Sequence, residues 1–456
     1  MKRILALILV LSSFAVFSGT SSASIKPGSS CSPKGKTSIF GGVKYTCVLS
    51  GKKLVWNKGV KAPSSTTTSS ASTTTFAAPA LSALASAVPC QLPYSGPLDN
   101  TQRTGFPHDS ASLPNSGTIN ALMVFEDFSD VSGTDNIQSV AKTIQTNISS
   151  YFSSVSYGKV NFKFTTYPSW IHVNATSGSF GMKNPGVGDQ MGLAKAEQSS
   201  AAKVIDFSPY TIMYVVLPST ADLIHDSLPF PLAAINARWP ETNAQIPGNP
   251  LSFLVSLSNL PSDSWATPLH ETGHIFGFVH PFGNNIWPVW DVMYIGGQVD
   301  PAFSAPGLLG WERWLVNWVT DSQVACIDQS SSGSSTYNYL LTPIELNSNS
   351  VKIAVIKLTS HTAIVVESRR SIGEDVFPTS YEGALVYSID TSKNGDVNYL
   401  SPSINILGQS IYAGHTELVG TIRAGESITY QGQTVKVLAN TSVGDYVQIT
   451  TGTVTG

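Results

Sequence analysis

Apolar residues recur along this chain with two periods, and the change of period divides it. Ile137, Val140, Ile144, Ile148, Tyr151 and Val155 follow one another at steps of three and four, which predicts an amphipathic helix. An apolar run at 119–125 reads as a buried strand, and 160–164 and 211–217 read as further strands, with a second helix at 190–204. This alternation predicts a twisted mixed sheet with helices packed on it. Residues 251–257 read either as the sheet's edge strand above a cleft, where an extended peptide could add through backbone hydrogen bonds, or as an inner strand. From Tyr337 onward the pattern changes to short alternating runs at 351–356, 363–367, 384–389 and 446–450, split by turn residues, which predicts a β-sandwich. The fold class is α+β. A helix-bearing domain spans 90–325 and a C-terminal β-sandwich domain spans 326–456.

The region before residue 90 has a different character. Lys2 and Arg3 precede an apolar stretch at 4–17 that is short for a bilayer, and Ser21-Ser22-Ala23 supplies small residues for cleavage. Residues 1–23 therefore read as a secretory signal peptide, the alternative being an uncleaved anchor. No other stretch is long and apolar enough for a transmembrane helix, so no anchor is expected after cleavage. Residues 24–60 are rich in Gly and Lys, alternate apolar with polar positions, and contain Cys31 and Cys47. They predict a small β unit that a disulfide would staple. Contact with cell-envelope material and a passive spacer fit this unit equally well. Residues 61–89 are a Ser/Thr/Ala-rich linker, and 64–75 have no apolar face to bury.

Charged residues make up 12% of the 456 positions and the net charge is −3, so the chain lacks the basic footprint of a nucleic-acid partner. The 4 cysteines, in an exported chain, can form disulfides in three connectivities. Cys31 and Cys47 lie close together, which would leave Cys90 to pair with Cys326. Asn147, Asn174 and Asn440 fit the glycosylation pattern.

Candidate chemistry is concentrated at 270–280, which read His270-Glu271-Thr272-Gly273-His274-Ile275-Phe276-Gly277-Phe278-Val279-His280. This is H-E-x-x-H-x-x-G-x-x-H, and it holds three of the chain's 8 histidines. On a helix, His270 and His274 stand one turn apart on one face, so two imidazole nitrogens reach one metal at ~2.0–2.1 Å. Glu271 points beside that pair, where it can meet a water as general base without ligating. Gly277 accepts positive φ, so it can end the helix and let His280 approach from another direction. Three protein ligands leave one tetrahedral position open, the arrangement of a single catalytic Zn2+ rather than a structural one. Calcium binding is left open, with no ligand pattern to support it. Pro268 requires either a helix starting there, with Thr267 as N-cap, or one starting near Ser262 or Asp263 that bends. A rival role for Cys90 is a thiolate switch on the open zinc position, which would leave Cys326 alone. The other histidines, at 108, 172, 225, 361 and 415, receive no chemical role.

These eleven residues resemble the motif of the metzincin clan of zinc metallopeptidases. That clan has a methionine turn beneath the metal, and the resemblance implies this place for Met293, within Asp291-Val292-Met293-Tyr294. An ordinary core methionine is the alternative. Some members carry a tyrosine two residues after that methionine. Here Tyr294 follows it directly, so the resemblance does not carry the role onto it. Further blocks are similar to the immune inhibitor A-like (M6) secreted peptidases. They are Leu122-Met123-Val124-Phe125 running into Glu126-Asp127-Phe128-Ser129-Asp130, Ser156-Tyr157-Gly158-Lys159, Leu308-Leu309-Gly310-Trp311, Val366-Glu367-Ser368-Arg369-Arg370 and Gly383-Ala384-Leu385-Val386-Tyr387. The resemblance spans residues 90–400 and implies a metzincin-like catalytic domain followed by a β-domain. His280 departs from the Asp found in many members of that family.

Two functions follow as expectations. The first is a secreted, extracellular zinc endopeptidase acting on a protein or peptide, held at the cell surface if the N-terminal unit binds there. Glu271 is its base, and His270, His274 and His280 are its ligands. The second is a catalytically silent surface-binding or adhesion protein on a metallopeptidase scaffold. Glu367, Arg369 and Arg370 read as an ion cluster on a strand face in preference to a second active site.

Overall fold

The computed structural model of the chain describes residues 28–29, 37–40, 43–51, 53–58, 60–61, 76–95, 103–110, 112–184, 187–224, 228–231, 253–257, 266–281, 290–293, 305–329, 333–393, 403–408 and 420–453. They fall into two compact units, 1–75 and 76–456. The fold is α+β, with many strands and few helices.

In the first unit, β1 (Thr37–Phe40), β2 (Val43–Ser50) and β3 (Lys53–Trp56) pair antiparallel in that order, and β4 (Val60–Lys61) pairs with β2. Gly51 turns the chain between β2 and β3 at φ +63°. The Asn57 side chain accepts the Thr46 amide at 2.9 Å. The expected Cys31–Cys47 staple, the signal segment 1–23 and the Ser/Thr run 64–75 lie outside the described residues.

The second unit opens with a five-stranded sheet. Its strands are β5 (Gly117–Phe128), β6 (Val160–Val173), β7 (Ile212–Val216), β8 (Leu228–Pro231) and β9 (Phe253–Leu257), ordered β6-β5-β7-β9-β8. All neighbours are parallel except β8, which runs antiparallel to β9 at one edge. Helix α1 (Ile137–Val155) connects β5 to β6. The Asn136 side chain caps it by accepting the Ser139 amide, and Ala141, Ile144, Ile148, Tyr151, Phe152 and Val155 form its buried face. β5 alternates across the sheet. Ala121, Met123 and Phe125 join the core with α1, whereas Leu122, Val124 and Phe128 join the core under α2 (Gln190–Ala201). Burial on both faces explains why β5 reads as one apolar run.

Of the two alternatives for 251–257 the structure has the second: residues 253–257 form an inner strand, and the edge is β8, whose Pro229 and Pro231 pair with Val255 and Phe253. Proline has no amide to donate, so a strand with two of them suits an edge and reads as a loop in sequence.

The C-terminal half holds two more sheets. The first contains β10 (Val324–Asp328), β12 (Ile353–Lys357), β13 (Thr362–Arg369), β14 (Gly383–Asp390) and β15 (Ile404–Ile406) in that order, with β16 (Thr421–Ile422) also on β14. The second runs β11 (Thr336–Leu341), β19 (Gly444–Thr450), β18 (Gln433–Thr441), β17 (Ser427–Tyr430). They face each other across one core, with Ile327, Ile356, Ile364 and Val386 meeting Tyr339, Leu341, Val435 and Val447. The outer face of the first sheet is covered too. Val355, Val365, Leu385 and Tyr387 pack against Trp290, Leu309, Trp311 and Trp314. The period change from Tyr337 onward therefore marks a change of architecture inside one packed unit.

The disulfide Cys90–Cys326, with Cα atoms 5.8 Å apart, ties the start of this unit to β10. It removes the thiolate-switch role for Cys90. Within 76–89, assigned to the linker by composition, residues 76–82 lie against the second sheet and Ala87 packs on the outer face of the first. Ser82 donates its amide to the Asn338 carbonyl at 2.8 Å, and the Phe76 and Tyr446 rings are 5.1 Å apart. The unpaired edge of β11 supplies the backbone partners that composition does not reveal.

Candidate metal centre

Helix α3 (Ala266–Ile275) carries the first two histidines. Pro268 stands in its first described turn, and the alternative starts at Ser262 or Asp263 lie outside the described residues. The Thr272 hydroxyl donates to the Pro268 carbonyl at 2.6 Å and pairs with the buried Tyr214 hydroxyl at 2.9 Å, which ties the helix to β7. Gly277 ends the helix at φ +91°. The Phe278 amide reaches the Gly273 carbonyl at 3.1 Å and the Gly277 amide reaches the His274 carbonyl at 2.9 Å, a Schellman closure. The last carbonyls find partners in 103–113. Ile275 accepts the Leu113 amide at 2.9 Å, and Gly277 accepts the Arg103 amide at 3.0 Å. Phe276 accepts from His108 Nε2 at 2.7 Å, and burial holds the His108 ring below its usual pKa. Nothing in the sequence marks His108 for a role; in the structure it caps this helix.

The turn at Gly277 brings His280 back to His270 and His274. Their Nε2 atoms form a triangle with sides of 3.1, 3.1 and 2.9 Å. His270 Nδ1 faces the Val292 carbonyl at 2.9 Å and His274 Nδ1 faces the Phe278 carbonyl at 3.0 Å. A carbonyl only accepts, so both Nδ1 atoms carry the proton and both Nε2 atoms present lone pairs inward. Burial, then the neighbouring His270 and His280, holds the His274 ring well below its usual pKa, so it stays neutral. Lone pairs this close repel unless a cation lies between them. Nitrogens about 3 Å apart can all reach one ion at ~2.0–2.1 Å, so the donor set fits zinc. Among the described residues, this is the one His/Cys/Asp/Glu group of three or more with such spacing. His274 is buried while His270 and His280 are half-buried. Glu271 is buried at 9% exposure on the same helix and contributes no atom to the ligand cluster.

Residues 290–293 form the floor. Met293 is fully buried, and its sulfur lies directly against Gly273, between the two helical histidines in sequence. Asp291 accepts the Met293 amide at 2.7 Å and the Leu309 amide at 3.0 Å. Glu312, on α4 (Gly310–Leu315), is its neighbour. Burial first, and then the Asp291 charge, raises the Glu312 carboxyl well above its usual range. Tyr294 lies outside the described residues.

Beneath this floor is a buried ionic network. Arg369 pairs with Glu367 at 2.8 Å and Asp375 at 2.7 Å, and Arg313 pairs with Glu345, all at 1% side-chain exposure or less. The charges expected on a strand face are thus internal, because the sheet's outer face is covered. Arg370 turns to the other side and pairs with Asp445. Asp291, an isolated charge in an apolar block, and the adjacent Glu312 and Arg313 between two tryptophans carry no signal in sequence. Comparison with models of known protein families and with curated proteins finds no match for this chain.

Proposed function

We propose that the chain is a secreted zinc endopeptidase of metzincin type, similar to the immune inhibitor A-like family. The observation that carries this reading is the convergence of three imidazole Nε2 atoms at 2.9–3.1 Å, with the outer nitrogens of His270 and His274 tied to carbonyls. His270, His274 and His280 would hold the ion. Bound zinc supplies Lewis acidity, polarising a carbonyl and lowering the pKa of a water to about 7. Glu271 takes a proton from the attacking water and delivers it to the leaving amine. Met293 supports the helix at Gly273 and Val292 orients His270. Export is supported by the leader-like N-terminus and by the Cys90–Cys326 disulfide, a bond of oxidising compartments. No helix among the described residues is long and apolar enough to cross a membrane.

The Glu271→Gln variant tests this reading. It should bind one equivalent of zinc, melt like the parent and lose hydrolysis of a casein-like protein by 10²-fold or more, an effect on the order of general-base loss. Full activity in this variant removes Glu271 from the mechanism. Zinc bound by the parent with no hydrolysis across a broad peptide library favours the silent binding protein.

A further inference from the structure

We propose that Arg369, carried by the C-terminal sheet, is a positioning residue for the metal centre, holding the 290–293 segment from which His270 takes its orientation. This rests on the zinc-site reading above. Arg369 Nη2 donates to the Trp290 carbonyl at 2.9 Å, and its guanidinium carbon lies 5.4 Å from the centroid of the Trp290 ring. Its counter-ions are themselves fixed. Glu367 accepts the Gly310 amide at 2.7 Å and Asp375 accepts the Gly307 amide at 3.0 Å. Asp291, the next residue along from Trp290, accepts the Met293 and Leu309 amides. The Val292 carbonyl is therefore bracketed. Arg369 grips the residue two before it and Asp291 grips the residue after it. That carbonyl is the acceptor for His270 Nδ1 at 2.9 Å, the contact that aims Nε2 at the other two imidazoles. An arginine suits the task because one planar fork meets Glu367, Asp375 and the Trp290 carbonyl together, which a single ammonium does not.

A purely structural network predicts something different. Buried ion pairs contribute little net stability, and replacing the whole set with neutral groups of similar volume is often harmless. The test is the triple variant Arg369→Met/Glu367→Gln/Asp375→Asn beside Arg369→Lys, both compared with the parent full-length protein. Zinc affinity is measured by chelator competition, the cobalt-substituted visible spectrum reports ligand geometry, and thermal melting reports the fold. Positioning predicts a 10–100-fold weaker zinc affinity in the triple variant, the usual effect of losing an outer partner, with an altered cobalt spectrum. Arg369→Lys keeps the charge balance and should fall between the triple variant and the parent. Parent-like affinity and spectrum in the triple variant overturn the proposal. If the triple variant does not fold, parent-like values in Arg369→Lys overturn it instead. A parent that binds no zinc overturns the zinc-site reading itself, an outcome distinct from either of these.

Discussion

The contact between Met293 and Gly273 gives a test in which a substitution should reverse its sign. A Cβ at Gly273 would fall onto the Met293 sulfur, 3.2 Å from its Cε and 3.6 Å from its Cγ. Normal contact is ~3.5–4.0 Å, so the thioether has to move by about 1 Å or more. Met293 is fully buried and its amide is held by Asp291, so the movement strains packed surroundings. Overpacking of this kind costs about 1–3 kcal/mol. Against it stands the intrinsic preference of a helix interior for Ala over Gly, about 0.5–1 kcal/mol. In the parent, Gly273→Ala should therefore destabilise, because the clash outweighs the propensity. In a Met293→Ala background the clash is gone and only the propensity is left. There Gly273→Ala should stabilise by about 0.5–1 kcal/mol, giving a coupling of about 1–3 kcal/mol across the double-mutant cycle. Urea unfolding of the four zinc-free proteins measures it. Zinc affinity of Gly273→Ala should also fall, since displacing Met293 disturbs Val292, the acceptor for His270. Equal effects of Gly273→Ala in both backgrounds would falsify the placement of Met293 beneath the helix.

Three further outcomes are expected. Glu312 keeps its proton in the fold but releases it in the unfolded chain near the ordinary 4.5, so its contribution to stability is lost as pH rises above that value. Glu312→Gln removes this slope, and its stability advantage over the parent should grow by up to about 1.4 kcal/mol per pH unit in unfolding series above pH 5, whereas a constant difference refutes a retained proton. The double variant Cys90→Ala/Cys326→Ala opens a crosslink spanning 236 residues, and its unfolding free energy should drop by about 2–5 kcal/mol. Zinc at a hundredfold over its dissociation constant should raise stability by about 2.7 kcal/mol, read as a melting shift that a chelator reverses and that His274→Ala abolishes.

What was legible in sequence is what local geometry determines. The i, i+4 histidines and the glycine that closes the helix depend on a dozen consecutive residues, and their placement follows from helix pitch alone. The apolar steps of α1 were legible for the same reason. Two kinds of feature were not. β8 breaks the strand pattern with Pro229 and Pro231, which only its edge position makes tolerable. Glu367 and Arg369 sit two apart in β13, as charges on a solvent-facing side would, yet both have 0% side-chain exposure because Trp290 and the 307–311 segment cover that side. A period-two pattern tells which residues share a face and not what covers it.

That distinction bears on how the centre is held. The motif supplies the three imidazoles, but the histidine-bearing segment is held at its C-terminal end and along its underside by residues remote in sequence. Arg103, His108 and Leu113 occupy the carbonyls that the helix leaves open at its C-terminus. Trp290 to Met293 support its underside, and Arg369 holds that segment from a strand nearly eighty residues later. The N-terminal contribution is itself anchored, since the same stretch begins at the Cys90–Cys326 crosslink to β10. β10 and β13 belong to one sheet, with β12 between them. One sheet therefore fixes both the strap that closes the helix and the floor that orients His270. On this geometry, removing residues 326–456 should cost the metal site as well as the β-sandwich.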